Sequence, residues 1–239
     1  MKVLAVDTSA KTATVALLED NKIISEYSIY TNTHSTTLLP MIESVFDFAG
    51  ISTKDVDLYA VSVGPGSFTG IRIGVSTVKG LAFVHNTPCV GVSALEAMAE
   101  NFRGVEGIIV PAIDARRDMV YTAIFKSEKN GSLTRLTEDS QIAISELFAL
   151  LKEHKNADIY FTGDAYDKLT SYEGVPTNVA STPTKLRAQS AYGVAEAALN
   201  IWNASEDKSK FTDSALMPVY LKKSQAERER EERLAASDN

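Results

Sequence analysis

Two segments of this 239-residue chain repeat one pattern, and the repeat limits the folds that the chain can adopt. The segments are VLAVDTSAKTATVALL, residues 3–18, and VPAIDARRDMVYTAIF, residues 110–125. In each, a β-branched apolar strand ends at an aspartate, Asp7 or Asp114, and a second apolar strand follows a short polar connection. Because internal self-similarity indicates a duplicated structural unit, we predict two related α/β subdomains.

The boundaries of these units follow from the composition along the chain. Arg103-Gly104 is the candidate junction, so the first subdomain is predicted over residues 1–103 and the second over residues 104–221. Residues 222–239 are rich in Lys, Arg and Glu and have almost no apolar face, which predicts a solvated tail. A hydrophobic content of 44% is sufficient for ordinary globular cores.

The overall composition argues against several classes of protein. A net charge of −7 argues against strong nucleic-acid binding by the chain alone, because neutralisation of phosphates dominates that affinity. The single cysteine, Cys89, excludes an intrachain disulfide. No signal-peptide pattern and no apolar run of membrane-spanning length are present. We therefore expect a cytoplasmic protein that does not contact a membrane.

A glycine-rich connection between a strand and a helix is the most distinctive local feature. The buried strand is predicted over residues 58–63, GPGSFTG follows at residues 64–70, and an amphipathic helix begins after it. Free N–H groups at a helix start could bind phosphate, but the spacing matches neither the P-loop nor the dinucleotide fingerprint. We favour a structural interpretation, in which Gly70 and Gly74 leave one helix face thin enough for another helix to pack closely.

The helix predicted over residues 34–50 is apolar around much of its circumference. Eight of the twelve residues from Leu38 to Ala49 are apolar, whereas a helix packed on one sheet needs a single stripe. The helix is therefore either buried deep in its own subdomain or part of a subunit interface. With the glycine-faced helix, it gives a predicted dimer interface of Leu38, Leu39, Ile42, Val45, Phe46, Gly70, Arg72, Gly74 and Val78.

Few residues carry recognisable chemistry. The strand-end carboxylates Asp7 and Asp114 could hold Mg²⁺ across a cleft, or could accept backbone N–H bonds in turns, which is the interpretation we favour. The histidines, His34, His85 and His154, lack the spacing of a metal site, and no nucleophile motif is complete. We predict neither catalytic residues nor metal ligands.

Six segments of the chain together resemble the TsaB (YeaZ) family. They are VLAVDTS, HSTTLLPMIESVFDFAG, VGPGSFTGIRIGVSTVKGLA, GVSALEAMA, IDARRDMVYTAIF and PVYLKK, spread over nearly the whole chain. The resemblance implies an actin-like fold of the sugar-kinase and Hsp70 type, ribonuclease-H-like in each half, which agrees with the repeat.

For function, the resemblance implies a non-catalytic subunit in tRNA modification. Its partner would be TsaD, which transfers a threonylcarbamoyl group to the adenosine beside the anticodon, and the ATPase TsaE would join them. Older names for the family are glycoprotease and inactive metalloprotease homologue. The chain could form a homodimer when alone, and tRNA would reach it only through the complex.

The same resemblance implies that a metal site has been lost. Catalytic relatives carry a G-V-N-H-x-E-G-H type segment whose two histidines bind metal, and the matching segment here reads GVSALEAM. Ala94 and Met98 stand at the histidine positions, and neither suits a divalent ion. The loops after the two strand-end aspartates lack the glycine of nucleotide-binding members. We therefore expect at most weak ATP or ADP binding at a subunit junction, by Asp7, Thr8, Ser9 and Asp114.

An enzymatic alternative is compatible with the same fold. The chain could be an ATP-binding phosphotransferase, in which Asp7 and Asp114 hold a magnesium-bound nucleotide, or a protease with an unrecognised site. No complete catalytic constellation is visible in the sequence, so the subunit role is our leading hypothesis.

Overall fold

The structure, a computed structural model, describes residues 1–31 and 33–221. The tail predicted over residues 222–239 lies outside these residues. The described chain forms two α/β lobes, each built on one mixed sheet.

The first lobe contains a five-stranded sheet. Its strands are β1 (Lys2–Asp7), β2 (Thr12–Glu19), β3 (Lys22–Tyr30), β4 (Leu58–Gly64) and β5 (Cys89–Ser93), in the spatial order β3-β2-β1-β4-β5. The first three strands form an antiparallel meander, whereas β4 pairs in parallel with β1 and with β5. Since β1 and β4 lie inside the sheet and are covered on both faces, their sequences are continuously apolar rather than alternating.

Two helices, α1 (His34–Ala49) and α2 (Phe68–His85), cover one face of this sheet. Their buried sides join β1, β2 and β4 in one hydrophobic core. Helix α1 ends at Gly50, whose φ of 65° is left-handed and suits the residue after a helix. Helix α2 begins at Ser67, whose side chain accepts a hydrogen bond from Gly70 N.

The second lobe repeats this arrangement with shorter strands, apart from its first strand. After α3 (Ala94–Glu100) come β6 (Gly107–Asp114), β7 (Met119–Thr122), β8 (Phe125–Ser127), β9 (Leu133–Arg135), β10 (Ser140–Ala143), α4 (Ile144–Leu151), β11 (Ile159–Thr162) and α5 (Tyr166–Thr170). Strand β6 pairs antiparallel with β7 and β8 and parallel with β11, as β1 pairs antiparallel with β2 and parallel with β4. The predicted duplication is therefore present in the strand pairing.

The last helix, α6 (Ala191–Ala204), packs on the first lobe. It covers the sheet face that α1 and α2 leave open, and residues 205–221 then run back across the same lobe. In this return segment, Cys89 N donates to Phe211 O at 3.1 Å and Val219 N donates to Val63 O at 2.8 Å. The unit predicted over residues 104–221 thus contributes its last 31 residues, 191–221, to the first lobe, because the first sheet needs an apolar cover on its second face.

Helix α3 lies between the two lobes. One side packs with α6 against the first sheet, and the other side joins β6 and β8 in a separate apolar cluster. No helix in the described part of the chain combines the length and the apolar character needed to cross a bilayer.

Candidate functional site

Two loops occupy equivalent positions in the lobes, one after β1 and one after β6. The first is residues 7–11 and the second is residues 114–118. Asp164, which follows β11, accepts a hydrogen bond from Asp114 N at 2.8 Å. Burial raises the pKa of Asp164, while the charge of Lys11 from the first loop opposes this rise. Lys11 of the first loop therefore lies near enough to Asp164, beside the second loop, to affect its pKa.

Asp7 supports a turn inside the protein. Its side chain has no exposed surface, and its two oxygens accept bonds from Ser9 N and Ser62 Oγ, both at 2.7 Å. Burial raises the pKa of Asp7, and the hydrogen bonds from Ser9 and Ser62 and the charge of His34 oppose that rise. The Mg²⁺ interpretation of Asp7 does not fit this environment, because the carboxylate faces no open space.

The first loop is fastened to the start of α2. The Thr8 hydroxyl donates to Gly70 O at 2.7 Å, and Ser67 N donates to Ser9 O at 2.6 Å. Asp7, Thr8 and Ser9, predicted to bind nucleotide weakly, are all fully buried. The Ser9 N–H already donates to Asp7 and is therefore not available to bind a phosphate. These three residues do not fit a nucleotide in this arrangement.

Gly70 and Gly74 of α2 face this loop. A Cβ atom at Gly70 would lie within 3.0 Å of Thr8 O, and one at Gly74 within 3.0 Å of Thr8 Oγ1, which real Cβ atoms essentially never do. The close approach that we predicted for these glycines exists, but its partner is the chain's own β1–β2 connection. At Gly80, further along α2, no atom lies within 4 Å of the place that a Cβ atom would occupy, and this residue faces outward.

Most of the predicted dimer interface is core. Leu38, Ile42, Val45, Phe46, Gly70, Gly74 and Val78 are buried within the first lobe of the isolated chain. The wide apolar faces of α1 and α2 are used in covering their own sheet, so these seven residues pack within the lobe, and their place in a subunit interface stays a prediction. Leu39, 49% exposed, and Arg72, also exposed, stay on the surface.

A different stripe of α2 is open to solvent, and only Arg72 of this stripe belongs to the predicted interface. It carries Arg72, Ser76, Gly80 and Phe83, of which Phe83 is 70% exposed. We call these four residues and Leu39 of the neighbouring α1 the docking stripe. The signal was available, since residues 72, 76 and 80 share one side of a helix while the apolar residues share another.

Asp114 differs from Asp7 in being exposed. It pairs with Lys168 Nζ at 2.8 Å and accepts Arg116 N at 2.9 Å, so its carboxylate anchors the second loop. Of the four residues predicted to bind nucleotide, Asp114 alone is exposed.

Ala94 and Met98 lie in the apolar cluster between α3 and the second sheet. Their exposures are 0% and 1%, and the cluster around them includes Ile113 and Phe125. Ser93 caps α3 by accepting bonds from two backbone N–H groups at 3.2 Å. Within the described residues, no three His, Cys, Asp or Glu side chains gather closely enough to hold a metal ion.

Sequence comparison finds similarity to proteins of tRNA modification. Residues 22–230 match a family model described as TsaD, tRNA N6-adenosine threonylcarbamoyltransferase. The tRNA threonylcarbamoyladenosine biosynthesis protein TsaB of Bacillus subtilis (strain 168) is 38% identical over 164 residues, which cover 68% of this chain and 71% of that protein. The TsaB protein of Escherichia coli (strain K12) is 36% identical over 133 residues, covering 55% and 58% respectively.

Structural comparison agrees with the sequence. YeaZ from Pseudomonas aeruginosa superposes with a TM-score of 0.74 at 26% identity, covering 92% of this chain and 99% of that one. An activator of the 2-hydroxyisocaproyl-CoA dehydratase from Clostridium difficile, solved with bound ADPNP, gives a TM-score of 0.51 at 12% identity, covering 85% and 96%. The second likeness shows the fold alone. The predicted two-subdomain, actin-like α/β fold is confirmed.

Proposed function

Because the chain belongs to the TsaB (YeaZ) family, we propose that it acts in the biosynthesis of threonylcarbamoyladenosine in tRNA, as a non-catalytic subunit. In this role it binds a TsaD-type transferase, and a TsaE-type ATPase joins the two. The tRNA meets this chain only within the complex, in the cytoplasm.

The observation that carries the non-catalytic part is the position of α3. The segment that supplies metal-binding histidines in the catalytic relatives here contributes Ala94 and Met98 to a closed apolar cluster between the lobes. An ion at these positions would need polar ligands and space, and tightly packed methyl and thioether groups provide neither. The segment therefore joins the two lobes in place of holding a metal.

The partner-binding part is supported by the docking stripe. Ser76 and Gly80 present little side-chain bulk at the middle of α2, and Leu39 and Phe83 add exposed apolar surface on α1 and at the end of α2. Small residues flanked by apolar ones let a partner helix approach closely while still burying apolar area. We propose that a helical face of the TsaD-type chain packs here, and that the same stripe serves a homodimer when the partner is absent.

We propose no cofactor of the chain's own. Asp7, Thr8 and Ser9 are engaged inside the first lobe, so a nucleotide would bind weakly and at a junction with the partner, near Asp114. Calorimetry of the isolated chain with Mg-ATP tests this point. A Kd below about 10 μM, roughly −7 kcal/mol, would favour the phosphotransferase alternative instead.

The docking stripe can be tested with a matched pair of variants. Leu39→Glu places a carboxylate in the proposed interface, and Leu150→Glu places one on α4 of the other lobe, at a similar exposure of 42%. In titrations with the TsaD-type chain of the same organism, Leu39→Glu should raise Kd at least about tenfold, because burying an unpaired charge costs more than about 1.4 kcal/mol. Leu150→Glu should leave Kd unchanged.

The outcomes separate the function from the surface. If the wild-type chain does not bind the TsaD-type chain, and adding it does not raise threonylcarbamoyladenosine formation, the proposed function is wrong. If the wild-type chain binds and Leu39→Glu binds equally well, the function stands and the docking stripe is misplaced. Gly80→Leu provides a second probe, since nothing lies within 4 Å of a Cβ atom built there and the fold should tolerate it.

A further inference from the structure

Two adjacent arginines on the second loop adopt an unfavourable backbone conformation. Arg116 and Arg117 have φ values of 68° and 50°, in the left-handed region. For a residue with a side chain this region costs roughly 1–2 kcal/mol, and neither position is occupied by the glycine that would relieve it. Two consecutive residues of this kind persist only where surrounding contacts fix the backbone.

Those contacts are present on both sides of the loop. Arg116 N donates to Asp114 Oδ1 at 2.9 Å, and Met119 N donates to Arg116 O at 3.2 Å. Lys168 Nζ donates to the carbonyl oxygen of Arg117 and to Asp114 Oδ1. The loop backbone is thus held by hydrogen bonds from α5 and from within the loop, while both arginine residues are exposed.

The two guanidinium groups are unusual for this chain. Over residues 1–31 and 33–221, neither makes a hydrogen bond, ion pair or ring contact. The other arginines of that part all have partners: Arg72 with Tyr220, Arg103 with Glu100, Arg135 with Glu96 and Asp139, and Arg187 with Thr182 and Tyr166. The left-handed backbone belongs to the β6–β7 hairpin, as it does at Asp20 and Asn21 in the β2–β3 hairpin. The evidence for a ligand is therefore the pair of exposed guanidinium groups that have no partner among the described residues.

The charges around the loop favour an anion. Lys168 pairs with Asp114, which leaves Asp118 as the second carboxylate of the loop against two unpaired guanidinium groups. Lys11 of the opposite loop is also exposed and lies close enough to Asp164 to affect its pKa. With Asp164 included, the four cations Lys11, Arg116, Arg117 and Lys168 face three carboxylates, which leaves an excess of one positive charge on a chain whose net charge is −7.

We propose that Arg116 and Arg117 bind phosphate groups of the tRNA backbone when the chain is assembled with its partner. A guanidinium donates two parallel hydrogen bonds to one phosphate, and two neighbouring guanidinium groups on a rigid loop suit two phosphates of one strand. The inference rests on the proposed function, which supplies the RNA. The acidic remainder of the chain explains why the contact forms only where a partner contributes further binding surface.

The test is the salt dependence of tRNA binding by the assembled complex, measured by fluorescence anisotropy. Arg116→Gln with Arg117→Gln should make the slope of log K against log [salt] shallower by about 1.4–1.8, for two lost phosphate contacts, and should raise Kd at least about tenfold near 0.1 M salt. Arg116→Gly with Arg117→Gly removes the same charges and relieves the backbone, so it should bind equally poorly and be at least as stable. Arg116→Lys with Arg117→Lys should keep the wild-type slope.

The control removes two exposed cations elsewhere. Lys152→Ala with Lys155→Ala, at the end of α4, should change neither slope nor Kd. If the Gln and Gly variants form the complex normally and still show the wild-type slope and Kd for tRNA, the inference is overturned. Loss of Mg-ATP binding with unchanged tRNA binding would also overturn it, since the phosphate would then belong to a free nucleotide. Failure of the wild-type chain to form the complex would overturn the proposed function and this inference together.

Discussion

Gly70→Ala adds one methyl group at a crowded point of the first lobe. The new Cβ atom would lie within 3.0 Å of the backbone oxygen of Thr8, and it would also press on the side chains of His34 and Ser67 at 3.3 Å. Backbone cannot swing aside as the end of a flexible side chain can. The start of α2 or the β1–β2 connection must therefore move.

The size of the effect follows from the contacts that this movement disturbs. Overpacking of a well-packed site costs about 1–3 kcal/mol. The Thr8 hydroxyl bond to Gly70 O and the Ser67 cap on Gly70 N are each worth about 1 kcal/mol and would weaken together. Against this, alanine gains up to about 1 kcal/mol over glycine in a helix. We expect Gly70→Ala to lose roughly 2–4 kcal/mol of unfolding free energy.

Gly80→Ala is the matched control on the same helix. It makes the same chemical change, but no atom lies within 4 Å of the added methyl group, so only the helix propensity acts. We expect it to gain about 0.8–1.0 kcal/mol. Urea unfolding of the isolated chain measures both, with the fluorescence of Trp202, the single tryptophan, reporting on α6 and the first lobe. Equal m values would show that midpoints can be compared directly.

One pattern of results would refute the reasoning. Suppose that the isolated Gly70→Ala chain is as stable as the wild type but no longer binds the TsaD-type chain. Glycine would then be required at position 70 by a partner helix, as the sequence suggested, and not by the packing against Thr8. A Gly80→Ala chain that is clearly destabilised would contradict the outward orientation of that position.

Burial raises the pKa of Asp7, so this group stabilises the fold fully below pH 3.8 and loses that contribution as the pH rises through the raised pKa. Asp7→Asn should therefore be more stable than the wild type at pH 7. A difference in urea midpoint between the two chains that did not shrink in acid would contradict this. Burial also raises the pKa of Cys89 to about 11, so a thiol reagent at pH 8 should modify the chain only after denaturation. Rapid modification of the native chain would show that the thiol is not buried. Tyr220→Ala removes the ring stacked on Phe68 at 4.4 Å and the oxygen that accepts from Arg72 at 2.9 Å; it should cost about 1–2 kcal/mol and speed proteolysis of residues 205–221, whereas Tyr220→Phe should retain the stacking part.

The paired strands and their loops could be predicted from the sequence because local signals determine them. A buried strand reads as an apolar run, and the aspartate at its end marks where the chain must turn, at Asp7 and again at Asp114. The repeat of this pattern then gives the architecture of both lobes. The lengths of the elements in the second lobe and the chemistry of Arg116 and Arg117 do not follow from the repeat, since left-handed backbone at arginine has no sequence signal.

The destination of α6 could not be predicted, because it depends on which surface is left uncovered. Its apolar stripe fits any flat apolar face, and the second lobe, nearer in sequence, was the simpler expectation. The second lobe covers its own sheet with α3, α4 and α5, whereas the first sheet has one face without a helix until the chain returns. Only the balance of covered and uncovered faces over the whole chain decides the packing.

The helical period of α2 separates the side that packs on its own sheet from the side that a partner could contact. Gly70 and Gly74 are four residues apart and continue into Val78 and Ala82, so they belong to the most apolar side of α2. In a layered α/β lobe the most apolar side of a helix faces its own sheet, and a glycine on that side admits the lobe's own backbone. Gly80 lies on the other side, with Arg72 and Ser76, where apolar content is low and no atom lies within 4 Å of a Cβ atom built at Gly80. A contact with a second subunit is therefore expected on the less apolar side of such a helix, where Gly80 lies at the centre of the docking stripe.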